Sequence, residues 1–254
     1  MKKLLTVICI FFTVLHVQGQ NEKTYNYKIE YDMFLNFDGY KKYSAILFFN
    51  ESQSYFSYQI DDSTKNKLTN EDDDANLISF KIVDSSRYFI QSNKVLNSIL
   101  QLEKGFQEEK FFLVNEAIPK IEWNITKETK QIGSYNCSKA LGYFAGRNYI
   151  VWFTSELPNY FGPWKLHGLP GTILEAHDEL NEVQFIVTKI ENINQFVKKI
   201  DSVESYKTIN REEYINSLNQ FMDDLGKKIG TKVGRNFNVK VKSPVYKSIE
   251  IYEN

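Results

Sequence analysis

Tyr25-Asn26-Tyr27-Lys28-Ile29-Glu30-Tyr31-Asp32-Met33-Phe34-Leu35-Asn36-Phe37 is the stretch that decides the fold. Apolar and aromatic side chains occupy every second position with mostly polar residues between them, so it reads as one long strand with a single apolar face. Asp38-Gly39 then supplies a tight-turn signal, and residues 43–50 read as the returning strand of a hairpin. A further turn at 51–53 leads into a strand at 55–60. The first third of the chain is therefore expected to be an antiparallel meander.

The same alternation continues outward. Strand-like pieces recur at 77–83, 87–91, 110–115 and 121–125, with a short amphipathic stretch near 95–102. A second strong hairpin alternates through Tyr135, Cys137, Lys139 and Leu141, turns at Ala145-Gly146-Arg147-Asn148 and returns through Tyr149, Val151 and Phe153. Strands at 172–176 and 182–190 follow a loop. The one convincing helix is late: Asn210 can cap it, and Tyr214, Ile215, Leu218, Phe221, Met222, Leu225 and Ile229 recur at steps of three and four, with Gly230 as a stop. Phe237, Val239 and Val241 suggest a last strand, which Pro244 ends or confines to an edge. Strands followed by a helix indicate an α+β, mainly β protein. We expect a strongly curved, half-barrel-like antiparallel sheet, with the amphipathic helix at 211–229 packed on its concave face or over an edge.

A chain of 254 residues with 42% hydrophobic content can bury a sizeable core. Its 31 Lys and Arg balance 32 Asp and Glu, which argues against nucleic acid as a partner. Lys2 and Lys3, the apolar run 4–14 and the small-residue site before Gln20 have the form of a signal peptide, too short to span a membrane. Residues 1–19 are expected to be removed, leaving 20–254 as one exported domain without a transmembrane segment, located in the periplasm or at the outer-membrane surface. Cys137 is then the only thiol, expected to be a buried structural one.

Common catalytic signatures are absent: there is no P-loop, G-x-G-x-x-G, H-E-x-x-H, G-x-S-x-G or paired C-x-x-C. After cleavage two histidines remain, His167 and His177, too few for a His-rich metal site. Glu175, His177 and Asp178 could gather a carboxylate and imidazole cluster, the basis of a hydrolase alternative. Ser155 with His167 is a weaker pairing of nucleophile and base. The acidic segment at 61–76 lacks the ligand spacing and central Gly of an EF-hand and reads as a solvated loop. No catalytic residue, metal ligand or cofactor is assigned.

The segment 137–174 is dense in Gly, Pro and Trp in a chain otherwise poor in them. Pro170 and Gly171 suit the central positions of a type II turn, with Gly171 at positive φ, while Gly168 lets the backbone pass close to a neighbour. This is either a rigid corner or the rim of a binding site made by Trp164, Gly168, Leu169, Pro170 and Gly171, with Leu169, Pro170 and the Trp164 ring as contact surface. Cys137, Ala140, Gly146-Arg147, Trp152-Phe153-Thr154, Leu157-Pro158, Gly162-Pro163-Trp164-Lys165 and Gly168-Leu169-Pro170-Gly171-Thr172-Ile173-Leu174 resemble the central block of the GLPGLI family of exported Gram-negative envelope proteins, with Thr172 where the name motif has Leu. The resemblance implies location and carries over no catalytic residue. The expected function is that of a non-enzymatic envelope protein holding an apolar ligand or peptide in the curved sheet. The alternative is an accessory that docks to an outer-membrane transporter or another envelope partner.

Overall fold

The computed structural model describes residues 22–37, 39–62, 86–105, 111–199, 206–233 and 249–251. Its strands are β1 (Glu22–Asn36), β2 (Tyr40–Phe49), β3 (Gln53–Ile60), β4 (Tyr88–Asn93), β5 (Ser98–Lys104), β6 (Phe111–Ala117), β7 (Trp123–Ile132), β8 (Tyr135–Phe144), β9 (Arg147–Thr154), β10 (Thr172–Asp178), β11 (Val183–Lys199) and β12 (Lys207–Asn210), followed by helix α1 (Arg211–Val233). They form one sheet in the order β12-β6-β5-β4-β3-β2-β1-β11-β10-β9-β8-β7, with β12 and β7 at its two ends. The protein is mainly β, with an open twelve-stranded sheet and a C-terminal helix.

The order has a simple construction. Consecutive hairpins make one meander from β1 to β6 and a second from β7 to β11, and β1 joins them by pairing with β11 on its other side. All pairs are antiparallel except β12 with β6. At the second hairpin Ala145 (φ 51°) and Gly146 (φ 78°) both take positive φ, the requirement of the tight turn whose twist matches two antiparallel strands.

The alternating residues of β1 behave as their pattern requires: Ile29, Tyr31 and Met33 are buried and belong to the main core, with Leu47, Phe56, Ile90, Val151, Phe153 and Phe185 from neighbouring strands. We call the sheet face that carries this core the inner face. On its β7–β11 half the covering layer is irregular chain: Phe161, Trp164, Leu166 and Leu169, from the connection between β9 and β10, close over the core. Helix α1 instead meets the opposite end, where Tyr214 packs with Phe112, Val114 and Ile209 and donates its hydroxyl to Lys104 O at 3.2 Å. Its start is a reciprocal capping box: Glu213 N–H donates to Asn210 Oδ1 at 2.8 Å, and Asn210 N–H to Glu213 Oε2 at 3.0 Å.

The structure departs from the sequence reading at several boundaries. The amphipathic stretch near 95–102 is a turn running into β5, because Ile99 reaches the inner core while Leu102 faces a second apolar cluster. The strand expected at 182–190 continues to Lys199 along β1, and α1 passes Gly230 to reach Val233. The signal segment 1–19, the strand piece at 77–83, most of the acidic segment at 61–76 and the strand around Phe237 to Val241 lie outside the described residues.

Candidate functional site

The loop singled out in the sequence is built from the inside. Trp164 is 3% exposed and Leu169 4%. The Trp164 ring centroid lies 5.5 Å from that of Phe144 and 6.5 Å from that of Tyr149. Neither side chain is the contact surface expected of it; of the five rim residues only Gly168 and Pro170 face solvent. Among the described residues no helix covers the core here, and the loop's own apolar side chains do so instead.

The two glycines exchange the roles assigned to them. Gly168 is at φ +90°, where an added Cβ would meet only Trp123 Nε1, at 3.9 Å. Gly171 is not in the positive-φ region, so Pro170-Gly171 does not make the type II turn; a Cβ on Gly171 would stand 2.1 Å from Thr154 O. Trp164 itself sits at φ +56°, and Trp123 Nε1 donates to His167 O at 2.7 Å. His167 is buried, with Nδ1 2.6 Å from Lys165 O and Nε2 2.5 Å from Pro119 O. Burial lowers its pKa and the two carbonyls oppose that shift. It serves the loop and does not meet Ser155.

The cluster of Glu175, His177 and Asp178 does not form either. Alternation along β10 sends Asp178 inward to Arg147 (2.7 Å) and leaves Glu175 on the outer face, paired with Lys130. His177 Nδ1 is 3.1 Å from Asp178 O and meets no carboxylate among the described residues. Cys137 is buried and free, with its thiol pushed up by that burial. Among the described residues no group of His, Cys, Asp and Glu could hold a metal ion.

The chemistry gathers at the other end of the inner face. Tyr43, Tyr58 and Tyr88 stand on β2, β3 and β4 as a row of half-buried rings, with centroids 6.0 Å apart for Tyr43 and Tyr58 and 5.4 Å for Tyr58 and Tyr88. Beside them Gln101 and Glu103 of β5 and Glu116 of β6 point inward, in positions where the strand pattern calls for apolar residues. Arg211, the first residue of α1, binds Glu116 through Nε (3.1 Å) and Nη2 (2.9 Å), Glu250 through Nη2 (2.9 Å) and Glu103 through Nη1 (3.5 Å). Lys165 reaches down from the loop to pair with both Glu116 and Glu250. Gln101 Nε2 donates to Glu103 Oε1 at 2.6 Å.

The three carboxyls are not equivalent. Burial and, next, the charge of Glu250 push Glu103 up to about 7, against the pull of Arg211 and Lys165. Burial also acts to raise Glu116, but Lys165 and Arg211 outweigh it and its net shift is downward. Burial, with the Glu103 charge behind it, holds the Tyr58 phenol well above its usual range. Near neutral pH the patch thus offers a carboxyl that can give a proton and another that stays ionised, around one guanidinium, with aromatic rings alongside. Sequence reasoning missed this site, whose members come from separate strands, a loop, the helix start and the C-terminal segment.

An open antiparallel sheet with this patch on its inner face fits many proteins, and comparison narrows the class. The family model described as N-glycanase peptide, N-terminal domain, matches residues 54–216. The chain belongs to that family. PNGF-II, solved in C2 and P21 space groups, superposes with TM-scores of 0.50 at 17% and 18% identity, over 78% of this chain and 33% and 34% of the PNGF-II chain. This likeness is one of fold, and the chain spans about a third of the length of PNGF-II. No curated protein matches the sequence.

The match overturns the GLPGLI assignment and the functions expected with it, an apolar-ligand carrier or a docking accessory. The block that suggested them lies inside the matched region, and within it Phe161, Trp164, Leu166 and Leu169 are held by packing on the core. No helix among the described residues is long and apolar enough to cross a membrane.

Proposed function

We propose that this chain acts on N-linked glycans as an N-glycanase-type domain, engaging the glycan at the Tyr43, Tyr58 and Tyr88 row and the carboxyls beside it. The observation that carries this reading is the family match, whose residues 54–216 take in Tyr58, Tyr88, Gln101, Glu103, Glu116, Lys165 and Arg211. Aromatic faces receive the apolar face of a sugar ring, and fixed carboxyl, amide and guanidinium groups bind its hydroxyls. In hydrolysis, Glu103 would give its proton to the leaving nitrogen as the bond from carbon to nitrogen breaks. An ionised Glu116 would accept a proton from the attacking water, whose oxygen bonds to the amide carbon that the nitrogen leaves. The same reading takes residues 20–254 as one exported domain and its sheet as strongly curved and half-barrel-like, so that the patch lies in a hollow.

A peptide with a single N-glycan tests it. Cleavage of the amide leaves Asp where the glycosylated Asn stood, whereas cleavage between sugars leaves the first sugar attached, and mass spectrometry separates the two. Release by the full chain, lost in Glu103→Gln and Tyr58→Ala, is the expected result. Binding without release would assign the chain the glycan-holding part of the reaction, consistent with its spanning a third of PNGF-II. Neither binding nor release would end the proposal.

A further inference from the structure

The His167 ring lies between two stretches of irregular chain. Its Nδ1 is 2.6 Å from Lys165 O in the loop between β9 and β10, and its Nε2 is 2.5 Å from Pro119 O in the connection from β6 to β7. Among the described residues neither carbonyl has another hydrogen-bond donor. A carbonyl oxygen only accepts, and a neutral imidazole carries a single N–H. Both contacts are hydrogen bonds only when both ring nitrogens hold protons. With one proton gone, a ring lone pair faces a carbonyl oxygen at the same short distance and repels it.

The surrounding side chains supply no other counterpart for the ring. Phe144 and Tyr160 stand 6.3 Å and 5.5 Å away between centroids, and burial holds the Tyr160 phenol above its usual range. The charged groups on the elements around the ring are engaged elsewhere: Lys165 with Glu116 and Glu250, Lys120 with Glu122 at 2.8 Å, and Lys94 over the Tyr160 ring at 4.6 Å. Arg147, across from Phe144, pairs with Asp178 and Glu182. Among the described residues the two carbonyls are therefore what the ring nitrogens answer to.

We propose that His167 is a proton-dependent tie: as an imidazolium it binds the loop to the β6–β7 connection, and on losing a proton it keeps the bond to Lys165 O and releases Pro119 O. The order follows from burial. The Lys165 contact is buried, where an unpaired carbonyl costs most, whereas Pro119 is half-buried and its carbonyl can turn to water. The tie bears on the charged patch, because Pro119 follows Glu116 in the chain and Lys165 Nζ pairs with Glu116. Loop and strand exit are thus joined twice, by an ion pair and by the ring. Burial lowers the pKa of the ring and the two carbonyls oppose that shift, so release falls on the acid side of the ordinary imidazole range. Between the two folded arrangements the proton favours the tied one; against the unfolded chain the lowered pKa costs stability as pH falls. The tie does not rest on the function proposed above.

Nitrogen chemical shifts of the His167 ring, followed by NMR in the full chain from acid to neutral pH, test it. At acid pH both nitrogens should bear protons; as pH rises, Nε2 should lose its proton and Nδ1 keep one. The Ile118 amide, next to Pro119, donates to Asn97 O at 3.4 Å. Its protection against exchange, corrected for the intrinsic rate, should fall through the same transition, by about tenfold if release lowers the proton affinity of the ring by one pKa unit. The Val151 amide, in the core of β9, should stay protected and so report an intact fold. A ring that keeps both protons through neutrality, that keeps the Nε2 proton instead, or that carries one proton even at acid pH overturns the tie. So does constant Ile118 protection, or an equal fall in His167→Gln, where it should be flat. If His167→Gln does not fold, the ring shifts and Ile118 protection of the unmodified chain decide alone.

Discussion

The two ends of the inner face differ in what occupies the space above one continuous sheet. Over β7–β11 a loop lays Phe161, Trp164, Leu166 and Leu169 on the strands and dries the surface. Over β2–β6 the strands present Tyr43, Tyr58, Tyr88, Gln101, Glu103 and Glu116, and what meets them is charged: Arg211, Lys165 and Glu250. Lys165 belongs to both ends, since it follows Trp164 in the loop and ends among the carboxylates. Substitutions at the dry end should therefore change stability and little else. At the charged end they should change pH response and ligand engagement more than stability.

The largest effect should come from removing the ring that closes the dry end. Trp164→Ala leaves a cavity beneath Phe144 and Tyr149, and such truncations cost about 3–5 kcal/mol. That is a large part of the ~5–15 kcal/mol that holds a typical domain together. Denaturant titration reads it directly. A loss under ~1 kcal/mol would mean that the loop does not carry the second layer, and the comparison between the ends would fall with it.

A finer division inside the loop follows from its glycines. Gly171→Ala must push a Cβ against the Thr154 carbonyl, an overpacking that costs about 1–3 kcal/mol. Gly168→Ala has open space and pays only for positive φ, about 1 kcal/mol. Melting temperatures of the two variants should rank Gly171→Ala as the more damaging. The reverse order would restore the φ argument that the sequence suggests for Gly171.

Those glycines also mark what could and could not be read from the chain. Alternation is a local property, so β1, the hairpins of β2 and β3 and of β8 and β9, and the Asn210 cap were legible. The loop was not, because its geometry depends on partners far away in sequence: Trp123 donates to His167 O across 44 residues, and Gly171 is shaped by Thr154 on the neighbouring strand. The charged patch was hidden for the same reason, since Glu103, Glu116, Lys165, Arg211 and Glu250 share no spacing motif. One signal was available. Gln101, Glu103 and Glu116 fall on the inward register of strands whose other inward residues include Ile99 and Val114, and a carboxylate in such a position must be paired by something. The resemblance to the GLPGLI family misled because the strands and loop of its block, 137–174, carry residues such as Val151, Trp164 and Leu169 that packing in this core also selects.

The smallest effect sharpens the comparison from the charged side. The folded-state pKa of Glu103 is raised to about 7, so its contribution to stability is fully present below the ordinary carboxylate range and is lost as pH rises through about 7. Glu116 is lowered, so its contribution is present above that range and is lost as pH falls through its folded-state value. The two together place the patch's greatest stability on the acid side of neutrality. Glu103→Gln keeps the shape of the side chain and removes the first term. The difference in unfolding free energy between the unmodified chain and this variant should therefore shrink or reverse from pH 5 to pH 8, by on the order of 1 kcal/mol after allowance for partial screening by water. Trp164→Ala, at the dry end, should lower the whole curve without changing its slope. A Glu103→Gln curve parallel to that of the unmodified chain would show that Glu103 is ionised throughout, and the charged end would then be held by its pairs alone.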